Sequence, residues 1–138
     1  MKKYFALILA LLLLASLCAC GSGESITFKN DNLIAVQGVY ISSINQEEWG
    51  DPMNYSVIKK DASISISFDK FAGNGAEYDI GVLDDQDMLF EFYGVPLAVG
   101  DTVAFSAAGK FGTLTVTGSD GSVDTYKGQG EEAQYEDN

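Results

Sequence analysis

The chain has 138 residues, 46% hydrophobic and 20% charged, with 20 acidic side chains against 8 lysines and no arginine or histidine. That is one domain's worth of sequence. Lack of imidazole removes the Ser-His and Cys-His nucleophilic pairs and histidine ligation of zinc, and the excess of acid disfavours nucleic-acid phosphates and anionic headgroups as direct partners.

Lys2 and Lys3 precede an almost unbroken apolar run from Phe5 to Ala19. A run of about 15 residues matches a signal-peptide core and falls short of the ~20 residues of a spanning helix. It ends in Leu17-Cys18-Ala19-Cys20-Gly21, which resembles the lipobox of bacterial lipoproteins. Cys20 has an aliphatic residue three positions before it and a small one just before it; Cys18 fits poorly, because Leu17 stands where the small residue belongs. The resemblance implies residues 1–19 as a lipoprotein signal peptide, cleavage before Cys20 and diacylation of Cys20. The mature chain then has no second cysteine for a disulfide, and six lysines against 20 acidic residues give it a net charge of −14. Membrane attachment at the extracytoplasmic face, of a cell membrane or outer membrane, is expected through the lipid.

Residues 20–24 read as a short lipid-anchored tether, residues 25–127 as the folded domain, and residues 128–138, with Glu131, Glu132, Glu136 and Asp137, as an acidic disordered tail. Ile26 and Phe28 share one face of a first strand. The turn Asn30-Asp31-Asn32 leads to a strand from Leu33 to Ser42, in which apolar parity switches at Gly38 and so predicts a bulge. Ser63 to Phe68 alternates strictly, with Ile64, Ile66 and Phe68 on one side. Tyr78, Ile80 and Val82, then Met88, Phe90 and Phe92, flank the polar link Asp84 to Asp87 as a β-hairpin. Thr102–Ala107, Gly112–Thr117 and Val123–Lys127 complete the set, joined by turns at Gly100-Asp101, Gly109-Lys110 and Ser119 to Ser122. No helical periodicity follows Cys20. Seven or eight short strands predict an all-β domain, an antiparallel β-sandwich or, as the alternative, a small β-barrel.

Val39-Tyr40-Ile41-Ser42, Trp49-Gly50-Asp51, Tyr78-Asp79-Ile80-Gly81-Val82 and Gly94-Val95-Pro96-Leu97 together resemble small exported bacterial domains of unassigned function, over about Ile26 to Phe105. Many relatives carry a cysteine pair near the positions of Ala76 and Ala98. The resemblance implies a β architecture and brings no activity.

Three constellations stand out. The loop from Ser43 to Asn54 holds the only tryptophan, Trp49; such a loop is often functional, and its indole serves either as a recognition anchor or as a cap on an open end of the sandwich. Tyr55 and Tyr93, with Tyr40, are candidates to join Trp49 in an aromatic platform, against the commoner use of exposed aromatics as cross-strand pairs. Asp84, Asp85 and Asp87 crowd one turn and are weak candidates for Ca²⁺, against the commoner role of aspartate in solvated turns.

A two-carboxylate or Ser-Lys enzyme survives elimination on composition alone, without a motif, and the expectation is a non-enzyme without cofactor. Two functions follow: a surface-displayed module that meets a cell-envelope protein through Trp49, or a carbohydrate or small-ligand binder that uses the aromatic platform, assisted by Ca²⁺ at the aspartate turn.

Overall fold

The computed structural model describes residues 24–44, 46–71 and 77–134; the leader, Cys20 and Ala76 lie outside them. The domain is all-β, with eight strands: β1 Ser25–Asn30, β2 Val36–Ser43, β3 Ser63–Ser67, β4 Glu77–Asp84, β5 Met88–Pro96, β6 Thr102–Ala108, β7 Phe111–Thr117 and β8 Val123–Glu132. They form one sheet in the order β2-β4-β5-β8-β7-β6-β1-β3, curled into a half-barrel, an arrangement between the sandwich and the closed barrel. Every pair is antiparallel except β1 and β6. Among the described residues no helix is long and apolar enough to cross a membrane.

The concave side carries the inward sets that alternation predicts: Ile26 and Phe28, Ile66, Tyr78, Ile80 and Val82, Phe90 and Phe92, Val103 and Phe105, Leu114 and Val116, all buried. Phe105 of β6 meets Phe90 and Phe92 of β5 across the hollow, at ring-centroid distances of 5.3 and 6.3 Å. The sheet places β8 and β7 between those two strands, so the rings must pass over them. Glycines make the room. A Cβ on Gly130 would come within 2.6 Å of Phe90 Cε1, and one on Gly112 within 2.8 Å of Phe90 Cδ1.

The same glycines account for a correction. Residues 128–132, read from sequence as the start of a disordered tail, are strand: β8 runs to Glu132 and pairs Met88–Glu91 with Gln129–Glu132. Its inward positions Gly128 and Gly130 carry no apolar side chain of their own, because Phe92 and Phe90 of the neighbouring strand fill the space. A second difference is the start of β2 at Val36 instead of Leu33, which is 79% exposed. The bulge expected at Gly38 is present, as a register shift between Val36 and Gly38 against β4.

One end of the half-barrel is tied by Asn30, whose side chain is completely buried. Its amide donates to the carbonyls of Ile34 and Ile58, both at 3.0 Å, and its Oδ1 accepts the Asn32 N–H at 2.9 Å. Ile58 in turn forms an antiparallel bridge with Val36. The knot thus joins the end of β1, the start of β2 and the segment that leads into β3. Replacing Asn30 with alanine leaves the buried Asn32 N–H and the partly buried Ile34 carbonyl without this partner, each costing about 1–3 kcal/mol less whatever rearrangement recovers, while the Ile58 carbonyl keeps the Val36 N–H. Asn30→Ala is expected to lower unfolding free energy by about 2–4 kcal/mol, read by urea denaturation.

Candidate functional site

β2 lies at one edge of the sheet, and an edge strand presents unpaired backbone groups. The chain after β2 folds back to satisfy them. Met53 N–H donates to the Val39 carbonyl at 2.7 Å, the Asn54 carboxamide accepts from Val39 N–H at 2.9 Å, and its amide donates to the carbonyls of Gln37 and Ser56 at 2.8 and 2.9 Å. Asn54 is buried in the process. Two sites of attachment, Met53-Asn54 and Ile58, fix the returning end of the long loop.

The loop lays Trp49 on the convex side of the sheet, so the indole does not cap an open end. Cross-strand register puts Tyr40, Gly81 and Glu91 side by side on β2, β4 and β5. The indole rests on the middle one: a Cβ on Gly81 would be 3.3 Å from Cδ2 and Cε2 of Trp49. Tyr40 flanks it at a centroid distance of 6.5 Å and an interplanar angle of 55°. Trp49 is therefore half-buried, with one face seated and the rest reaching a cleft.

That cleft, of about 110 Å³, is lined by Trp49, Tyr93, Glu47, Glu48, Asp79 and Glu91, together with Ser42 and Gln46. A register shift between Tyr78 and Ile80 turns the chain of β5 at this level, and Gly94 takes a φ of +64°, a left-handed conformation that favours glycine. The Gly94 N–H donates to Asp79 Oδ1 at 3.0 Å, which fixes the Asp79 carboxylate at the cleft floor with 8% exposure. Tyr93 donates its hydroxyl to Glu91 Oε2 at 2.7 Å. Tyr40, Ser42, Trp49, Asp79, Gly81 and Gly94 converge here.

Of the candidate platform, Trp49 and Tyr93 line one cleft, and Tyr40 touches Trp49. Tyr55 does not join them. It is 94% exposed and holds Lys70, whose Nζ lies 4.2 Å from its ring centroid and 3.0 Å from its hydroxyl. The tilted Tyr40–Trp49 pair is no coplanar stacking surface. The aspartate turn is built for folding: Asp84 is buried, and its Oδ1 accepts the N–H groups of Gln86 and Met88 at 2.8 and 3.0 Å, while Asp85 accepts from Gln37. Among the described residues no group of three or more acidic or cysteine side chains is arranged to hold a metal ion.

Sequence reasoning missed the carboxylates of the Trp49 cleft, since Asp79 and Glu91 read as ordinary outward residues of a hairpin. It also missed a larger open hollow of about 460 Å³ where the β5–β6 and β7–β8 turns meet, bordered by Leu97, Asp101, Val116, Asp124 and Tyr126. No family model, no curated protein and no solved structure matches this chain.

The Glu91 contact and partial burial push the Tyr93 hydroxyl up from 10.0 to about 12. Because the folded value lies above the unfolded one, the resulting stabilisation is complete below about pH 10 and fades as pH rises toward 12. An ultraviolet difference titration of wild type against Tyr93→Phe is expected to show this tyrosine ionising near 12, and Glu91→Gln is expected to return it toward 10.

Proposed function

We propose that this protein is a lipid-anchored module of the bacterial cell envelope that binds a protein partner at the Trp49 cleft, and that it is not an enzyme. The observation that carries the reading is the seat of Trp49: a half-buried indole, held on Gly81 beside Tyr40, bordering a polar recess. Rigid aromatics with one free face, set in polar surroundings, are the anchors of protein interfaces, because they offer contact area with little entropy left to lose. The recess, about 110 Å³, is small beside the ~300–1,000 Å³ of small-molecule pockets. Its scale is that of one inserted side chain.

The lipobox-like Leu17-Cys18-Ala19-Cys20 supports attachment through Cys20, and the acidic composition supports a role at the membrane that does not depend on direct contact with anionic headgroups. The carbohydrate-binding alternative draws less support, since Tyr55 contacts Lys70 and does not line the Trp49 cleft, and the Tyr40 ring is tilted.

Two measurements test the reading. Expressed in a bacterial host with radiolabelled palmitate, the wild type is expected to carry label and fractionate with membranes, and Cys20→Ser to lose both. Cross-linking in intact cells, followed by purification of the full chain, is expected to recover one protein partner whose yield falls at least tenfold with Trp49→Ala while circular dichroism stays unchanged. A partner recovered equally by both chains would overturn the placement at Trp49.

A further inference from the structure

The edge of the sheet opposite β2 is β3, which pairs with β1 alone. Hydrogen bonds at the two ends of that ladder fix its parity: Asn30 N–H donates to the Ala62 carbonyl at 3.0 Å, and Phe68 N–H donates to the Glu24 carbonyl at 2.9 Å. Between them the alternation directs Ile64 and Ile66 to β1, and turns the backbone groups of Ser63 and Ser65 and the N–H of Ser67 outward. Among the described residues no group bonds to these. Exposure agrees: Ser65 is exposed, whereas Thr27 and Thr102, which continue its row on β1 and β6, are half-buried. On the inner face Ile64 is only partly buried, beside a fully buried Ile66. β3 also lacks the usual guards of an open edge, since it holds no lysine or proline and its pairing with β1 runs without a register shift.

Two observations say what fits this edge. Ser63-Ile64-Ser65-Ile66-Ser67 reads the same in both directions, so an antiparallel self-pair about Ser65 sets serine against serine and isoleucine against isoleucine. In that register Ser65 exchanges both backbone bonds with Ser65 of the second copy, and the N–H of Ser67 meets the carbonyl of Ser63. Ile64 then lies against Ile66 of the second copy in a close, non-hydrogen-bonded pair, which covers its open flank. Charge points to the same place. Residues 24–31 and 59–70, which hold β1, β3 and their ends, carry four lysines and four acids; the rest of the chain after Cys20 sets two lysines against sixteen acids. Two copies repel one another over most of their surface and can meet at this neutral part of it.

We infer that the chain forms a two-fold dimer through β3, joining two half-barrels into one continuous sheet by strand addition. The dimer is separate from the proposed interaction at Trp49, which belongs to the other end of the sheet. A contact of five residues a side is short, so the pair is reversible and falls among the smaller interfaces.

Three variants of the full chain in detergent micelles test the dimer. Ser65→Cys sets two thiols across the axis, where a hydrogen-bonded pair separates the Cα atoms by about 5.5 Å, inside the ~4.4–6.8 Å that a disulfide spans. Mild oxidation is expected to give a disulfide-linked dimer well above two backgrounds. One is wild type, whose only cysteines are Cys18 and Cys20; the other is Thr125→Cys, at an exposed position of β8 inside the sheet. Ser65→Pro removes an N–H that bonds nothing in the monomer. Sedimentation velocity is expected to show wild type dimerising with concentration, more strongly as salt screens the acidic surfaces. Ser65→Pro is expected to dimerise at least tenfold more weakly with unchanged circular dichroism. Ser65→Lys, which sets like charges across the axis without altering the backbone, is expected to do the same.

A wild type that stays monomeric, cross-linking no greater than that of Thr125→Cys, or a dimer that survives both Ser65→Pro and Ser65→Lys would overturn the inference. A dimer that weakens as salt is raised would overturn it too, because ion pairs elsewhere would then hold the copies together. A different protein, captured in cells and lost with Ser65→Pro while the chain itself stays monomeric, would give the edge to another occupant and end the self-pair.

Discussion

The domain's organisation depends on how its exposed sheet edge at β2 is satisfied. An open β-sheet ends in a strand whose outer N–H and C=O groups need partners, and a curled sheet that stops short of closing leaves two such strands. At β2 the chain solves this with its own next segment: Met53, Asn54 and Ile58 occupy the backbone groups of Val39, Gln37 and Val36. The Gly38 bulge shifts the register between Val36 and Gly38, and the covering segment is bonded on both sides of it. Asn30 then fastens the same segment to β1. Two buried asparagines thereby perform what a ninth strand would otherwise do.

Covering the edge has a consequence for the opposite side of the sheet. Once Met53 and Asn54 are fixed at β2, the preceding residues have to cross the convex face to get there, and Trp49 comes to rest over the one position of β4 that lacks a side chain, Gly81. The aromatic anchor and the edge cover are thus parts of one loop. On the proposed reading, the rigidity of the loop comes from hydrogen bonds that the fold requires in any case, which would reduce the entropy lost if a partner docks.

The strands were legible because most of them bury one face and not the other: Ile64/Ile66, Tyr78/Ile80/Val82 and Val103/Phe105 announce a period of two without any need of tertiary information. The second half of β8 was not, since its inward positions Gly128 and Gly130 are glycines whose space is filled by Phe90 and Phe92 from β5, and a segment that borrows its apolar face leaves no periodic signal. The parallel pairing of β1 with β6 was equally hidden, being a property of topology. At the site, the importance of Trp49 was readable from its loop. Its neighbours were not, because Asp79 and Glu91 become a cleft only when a hairpin more than 20 residues downstream of the loop lies beneath it. Tyr55, an equal candidate in sequence, is set apart by the turn of the loop at Asn54.

The central claim is that the bonds covering the β2 edge also hold Trp49 in place. Asn54→Ala removes the acceptor of the Val39 amide and the donor to Gln37 without touching the indole or its seat. Amide hydrogen exchange and tryptophan emission should be measured on that variant together. The account predicts faster exchange at Val39, red-shifted Trp49 emission, and unchanged protection of Leu114 in the middle of the sheet. Faster exchange at Val39 with wild-type emission would contradict it, showing that Trp49 is held by Gly81 and Tyr40 alone and that edge cover and recognition are separate devices.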